Sequence, residues 1–157
     1  MVRNSLIARF YSAFQGKDAA GMKACYGKNV VFYDPVFRQL DYQSVTAMWE
    51  MLLKNGKDLQ LTYEIFEETE DFAKAKWIAT YTFSRTNRKV INEIHSNFKL
   101  ENGKIIDHQD HFDFYKWSRQ AFGISGWLLG WTSYFRNKVS INARLSLDKY
   151  MHNKQIQ

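Results

Sequence analysis

Between Asp107 and Phe114 the chain reads DHQDHFDF, three aspartates and two histidines in eight residues that run straight into aromatics. Such residues can move protons, hold a cation or simply face water, and strand geometry sorts them. Successive side chains of a strand point to opposite faces. An extended run from Ile105 to Phe114 therefore puts Ile106, His108, Asp110, Phe112 and Phe114 on one side, and Ile105, Asp107, Gln109, His111 and Asp113 on the other. The second set is mostly polar and belongs toward solvent or a partner. The first set holds one charged pair, His108 and Asp110, in an apolar setting, and three readings of that pair stay open. A partly desolvated aspartate holds its proton more firmly, and a histidine two residues away could steer or exchange it, which makes an acid–base unit. The two could equally satisfy each other or the backbone with no chemistry at all. They are also metal-ligand types, together with His95 or His111, but residues i and i+2 give only two ligands from one face, and no CxxC or HExxH spacing is present, so no metal is expected.

A second acid stands elsewhere. NVVFYDP (Asn29 to Pro35) is β-branched and aromatic until the chain's one proline breaks it, so it reads as a first strand ending at Asp34. Asp34, Asp110 and His108 form the candidate catalytic set, two carboxyls and the histidine that could steer or exchange a proton with one of them. Trp77, Tyr81, Tyr63, Phe98 and Phe112, with Phe10, Phe14 and Ser96, are the candidate ligand contacts. So many large aromatics around one hollow favour a flat apolar ligand. No Gly-rich phosphate loop is present, so no nucleotide or other cofactor is expected.

These residues need elements to hold them. Leu6, Ile7, Phe10 and Phe14 recur at helical spacing after a capping Asn4 or Ser5, and Gly16 stops the helix. Asp18 caps a short second helix with Met22 and Tyr26 on one face and Gly27 at its end. A third helix follows in YQSVTAMWEMLLKNG, its stripe formed by Val45, Met48, Trp49 and Leu52. From Asp58 the period becomes two. Strands are predicted around Leu59 to Ile65, Trp77 to Phe83 and Val90 to Leu100, with a tight hairpin at Asn102-Gly103 and a return strand from Ile105. His95 falls out of phase with Ser96, Phe98 and Leu100 and belongs to the outside; Tyr33 points away from Asp34. The plan is α+β, with three N-terminal helices covering one face of a curved sheet.

The chain has 157 residues, 45% hydrophobic and 17% aromatic, enough for one core and a lined cavity. Cys25 is the only cysteine and reads as a small core residue; with no disulfide possible, a reducing cytoplasm is the expected compartment. The N-terminus reads as an amphipathic helix, since Arg9 interrupts the apolar run of a would-be leader. The +6 net charge is local: residues 1–115 carry fifteen basic and fifteen acidic side chains, whereas Lys116 onward holds seven basic residues and Asp148 as the lone acid. That tail comprises SRQAF, a Gly-punctuated apolar loop GISGWLLGW, and an amphipathic helix with Phe135, Val139, Ala143, Leu147 and Tyr150 down one side. Its apolar residues are expected to pack on their own domain, or across a dimer as a lid over the pocket. A membrane surface is therefore not expected as a partner, and with no basic-aromatic module motif neither is nucleic acid.

The order of elements, GKDAAGMKACYGKNVVFYDP and NFKLENGKII resemble the nuclear transport factor 2-like superfamily, which includes ketosteroid isomerases and SnoaL-like polyketide cyclases. The likeness is best over residues 5–115. It implies a cone-shaped, strongly bent mixed or antiparallel sheet wrapped around three N-terminal helices, an internal apolar pocket for a small molecule, and a homodimer packed through the outer sheet face. It also implies the domain organisation: a cone over residues 1–117 and a basic amphipathic helical extension over 118–157. In the isomerases the aspartate of the Asp-Pro pair is the proton-shuttling base, which falls on Asp34. Their first-helix tyrosine and protonated aspartic acid fall on Phe10 and Ser96 here, so steroid isomerisation itself is not implied.

Overall fold

In the computed structural model, which describes residues 4–157, Ser5 accepts a hydrogen bond from Ala8 N and starts α1 (Leu6–Gln15). Asp18 caps α2 (Ala19–Cys25) and Asp41 caps α3 (Tyr42–Asn55) in the same way, by accepting the backbone N–H three residues on. Each cap satisfies a donor that the first helical turn leaves unpaired. Between these helices lie β1 (Tyr26–Asp34) and β2 (Arg38–Leu40), and after them β3 (Gln60–Glu68), β4 (Phe72–Phe83), β5 (Arg88–Glu101) and β6 (Lys104–His111). The six strands form one curled, unclosed sheet in the order β2-β1-β6-β5-β4-β3. β1 runs parallel to β6 and every other pairing is antiparallel. This is the expected α+β cone, with α1 and α3 in its hollow.

Several boundaries differ from the sequence reading. The second helix stops at Cys25, and Tyr26, read as helical, begins β1. Tyr26 pairs with Ile105 of β6, so neighbour-strand hydrogen bonding replaces the last helical turn. β2, three residues long, is a strand that periodicity does not reveal. The last strand ends at His111 rather than running to Phe114, because Asp113 accepts a bond from Lys116 N and caps α4 (Phe114–Phe122). Phe112 thus lies in a link and Phe114 in a helix. The apolar loop GISGWLLGW contains α5 (Ile124–Leu129), after which Thr132 caps α6 (Ser133–Ile156). At the β5–β6 hairpin Asn102 and Gly103 both have positive φ, 51° and 70°, the geometry of the tight hairpin turn that the Asn-Gly pair predicts.

The main core joins Ile7, Phe10, Tyr11 and Phe14 of α1 to Val45, Met48 and Trp49 of α3 and to the inward faces of β1, β4, β5 and β6. A second cluster holds Val90 of β5 against Phe114, Trp117 and Ala121 of α4 and Phe135 and Val139 of α6. α6 then crosses back over the helical side: Arg144 donates to Phe37 O and Gln39 O, and Tyr150 and Lys154 both reach the Glu50 carboxylate on α3. The apolar stripe of the tail is thereby buried against this chain's own sheet and helices.

Candidate active site

Asp34 owes its place to Pro35. The proline ends β1, the chain turns, and Asp34 Oδ1 accepts from Val36 N at 2.9 Å and Phe37 N at 2.6 Å. The carboxyl is half-buried. Desolvation pushes its pKa from 3.8 up to about 7; the Asp110 charge adds to the rise, while the backbone bonds oppose it. A carboxyl so placed is close to half ionised at neutral pH, the condition that suits a general base.

Asp110 is the centre of a buried chain of hydrogen bonds that spans five elements. Its Oδ1 accepts from Ser96 Oγ on β5, and Ser96 Oγ accepts in turn from Tyr11 Oη on α1 at 3.0 Å. On the other side His108 Nε2 lies 2.9 Å from the same Oδ1, His108 Nδ1 lies 2.8 Å from Tyr26 Oη on β1, and Trp49 Nε1 on α3 donates to Tyr26 Oη at 2.9 Å. Donor counting assigns the imidazole tautomer. An indole nitrogen can only donate, so the Tyr26 hydroxyl must give its own proton to His108 Nδ1, which leaves the ring proton on Nε2 facing Asp110. A proton on Nδ1 would strand the Tyr26 O–H in the core without an acceptor, at the full cost of an unmet buried donor. Burial pushes the Tyr11 and Tyr26 phenols well above their ordinary range, and the Asp110 charge raises both further, so each stays a donor. All polar contacts of Asp110 fall on Oδ1, while the residue itself borders a cavity.

That cavity has a volume of about 760 Å³ and is mainly apolar. Asp34 and Asp110 both line it, as do Phe14, Trp77, Tyr81 and Phe112 from the candidate contacts, with Phe83 beside them. His108, Phe10, Phe98, Tyr63 and Ser96 do not. They stand one layer behind: Phe98 and Phe10 pack on the His108 ring at 4.4 and 5.6 Å, Tyr63 stacks on Tyr11 at 5.0 Å, and Ser96 bonds Asp110. His108, fully enclosed, can act only through Asp110. His95 and His111 are exposed on the outer sheet face, and among the described residues no three His, Cys, Asp or Glu side chains gather as a metal site.

Sequence reasoning missed three groups of site residues. Tyr11 shares the α1 stripe with Ile7 and Phe14 at helical spacing, so its inward hydroxyl was legible. Tyr26 was hidden by the misplaced helix end, and Trp49 was read only as core. Trp117, Phe122, Val139 and Ala143 bring the C-terminal helices into the cavity wall, and Trp117 Nε1 donates to Tyr81 Oη at 2.8 Å. One polar atom there is unmet: Trp77 Nε1, on a side chain only 8% exposed, is the lone buried side-chain N or O among the described residues with no hydrogen-bond partner. The atom has next to no accessible surface, so it is closed off from the cavity as well as from protein partners.

A curled six-stranded sheet holding helices in its hollow is the architecture of the nuclear transport factor 2-like class. The model of the SnoaL-like domain matches residues 7–108, and the chain belongs to that family. A comparison with curated proteins found no match. Among solved structures, a candidate polyketide cyclase from Silicibacter sp. TM1040 superposes with a TM-score of 0.65 at 21% identity, covering 74% of this chain and 93% of that one. A nuclear transport factor 2-like protein of unknown function from Burkholderia pseudomallei K96243 gives 0.63 at 19%, over 75% and 95%. TerC, crystallised with polyporic acid, gives 0.63 at 15%, over 74% and 95%. At these identities the likeness is one of fold.

Proposed function

We propose that the cavity binds a small apolar molecule bearing a carbonyl, polycyclic or aromatic in shape, and that Asp34 and Asp110 perform acid–base chemistry on it of the isomerase, cyclase or hydrolase kind. The observation that carries this reading is the arrival of two carboxyls at one apolar cavity, one of them with its pKa raised to about 7. In this scheme Asp34 takes a proton from the carbon next to the carbonyl. The resulting enolate either regains the proton at another carbon or attacks a second carbonyl, whose oxygen takes the electron pair and then the proton held on Asp34. Asp110 stays oriented by Ser96 and His108, and His108 is a positioning residue. A neighbour of the same fold that takes polyporic acid supports a flat aromatic ligand. A second copy is proposed to pack on the outer sheet face, where Val31, Tyr33 and Ile91 remain exposed.

The test uses deuterium uptake by 2-tetralone in heavy water, with polyporic acid titrated against intrinsic tryptophan fluorescence to read binding separately. Asp34→Asn should slow uptake by about 100-fold or more with quenching intact, and the wild-type rate should fall about tenfold per pH unit below 7. Both backbone bonds of Asp34 and the full coordination of Asp110 Oδ1 also suit a purely binding module. Unchanged uptake in Asp34→Asn and Asp110→Asn, with binding retained, would decide for that alternative.

A further inference from the structure

The C-terminal helices do not bury all of their apolar residues. α6 turns Phe135, Val139 and Leu147 inward, but α5 and the turn after it face the other way: Ile124 is 79% exposed, Trp131 68%, Trp127 59% and Leu128 55%, with Leu129 and Tyr134 beside them. α5 is fixed in this pose. Gly126 lies against the Ser118 backbone so closely that a Cβ would meet Ser118 O at 1.9 Å, and Tyr115 Oη donates to Trp127 O at 2.8 Å. The apolar side chains therefore point outward from a held platform. A contiguous exposed group of this size on one short segment marks an interaction site.

Charge says what kind. From Phe114 to Leu147 the chain has no acidic residue, and Arg119, Lys138 and Arg88 stand beside the patch. Arg119 lies over the Tyr115 ring at 4.8 Å and Lys138 over the Tyr134 ring at 6.0 Å, while Arg88 donates to Gln120 O next to Gly123. A second copy meeting this face by two-fold symmetry would bring two sets of cations together with no acid of this segment between them. Tryptophan and tyrosine at the rim of an apolar group, with lysine and arginine around it, match instead the headgroup layer of an anionic bilayer. We propose that the α5–α6 corner docks the protein on an anionic phospholipid surface, with Trp127, Leu128 and Trp131 entering the headgroup region. No helix of the described residues is long and apolar enough to cross a membrane, so the contact is peripheral. α6, which starts at this corner, also lines the cavity through Val139 and Ala143, so a pocket for apolar molecules would stand at a lipid surface.

Flotation of the full chain with phosphatidylcholine vesicles, with and without about 30% phosphatidylserine, tests this. The expected result is binding only to the anionic vesicles, weakening with salt. It should drop about tenfold or more in Trp127→Ser/Leu128→Ser/Trp131→Ser and again in Arg119→Glu/Lys138→Glu, with unchanged melting curves. The charge-reversal variant alters exposed side chains alone and keeps the test valid should the serine variant fail to fold. Absence of binding to phosphatidylserine vesicles at low salt overturns the proposal. So does binding that survives both variants, or a change from dimer to monomer in sedimentation of the serine variant without vesicle binding in the parent.

Discussion

At Asp34 the desolvation that suits the carboxylate to act as a base also works against the folded state. Its carboxyl titrates near 3.8 in the unfolded chain and at about 7 in the folded one, so the fold binds that proton more tightly. The stability it contributes is complete below about pH 4 and is lost as pH rises through 7. An asparagine at this position cannot ionise and keeps an oxygen for Val36 N and Phe37 N. Asp34→Asn should therefore be more stable than the parent at pH 8, by on the order of 2 kcal/mol, and indistinguishable at pH 4. Urea denaturation at the two pH values reads this. A stabilisation that is equal at both would remove the raised pKa from the account. Asp110 differs in kind: Ser96 and His108 hold Oδ1, and the orientation of His108 is itself set by Tyr26, so its environment is a hydrogen-bonded chain rather than a turn.

Among the elements, α5 is the one whose placement depends on single atoms. It is six residues long, has no side-chain cap, and buries only Gly126. Its seat on α4 exists because positions 126 and 130 lack a Cβ; at Gly130 a Cβ would meet Ser118 Oγ at 2.0 Å. Gly126→Val should push α5 off α4 and cost about 2 kcal/mol or more, as overpacking a tight contact does. Limited proteolysis should then cut first between residues 123 and 132. Cleavage at the parent rate would mean that α5 is not held by this contact. The β1–α2 boundary shows a related effect, since Tyr26 gives up helix continuation for pairing with β6 and thereby places its hydroxyl next to His108.

Across the whole molecule, the outward side chains of β1, β5 and β6 leave a face where Val31 and Ile91 are uncovered and the Tyr33 ring lies 6.2 Å from that of His111. If this face seats a second copy, sedimentation should give a dimer of twice 18.6 kDa, and Tyr33→Asp should shift it to the monomer with the melting profile of the core retained. A monomer at all concentrations would remove the homodimer from the functional reading.

How far the primary sequence reaches is clearest from particular residues. Period-two alternation put His108 and Asp110 inward and His111 outward; Ile105, which the same alternation puts outward, is buried in the core, because the register shifts between Lys99 and Leu100 at this end of the strand. Helical spacing with the caps Ser5 and Asp18 placed α1 and α2, and the stripe of Val45, Met48 and Trp49 placed α3, because caps and spacing are local chemistry. The Asn-Gly pair set the β5–β6 turn through its freedom at positive φ, and the Asp-Pro pair ended β1. None of these needs a distant partner. What only the tertiary structure decided is which inward residues share a surface. Asp34 and Asp110 come from strands 76 residues apart in number but adjacent in the sheet. Phe10, Phe98 and Ser96 point inward as the alternation requires, yet pack one layer behind the cavity. The strand that alternation carried to Phe114 ended at His111, because Asp113 found Lys116 N and started α4. The apolar stretch at 123–131, expected to be packed away, is left outside by the tight seat of Gly126. Depth and neighbourhood depend on how several elements fill space together, and no periodicity along one of them encodes that.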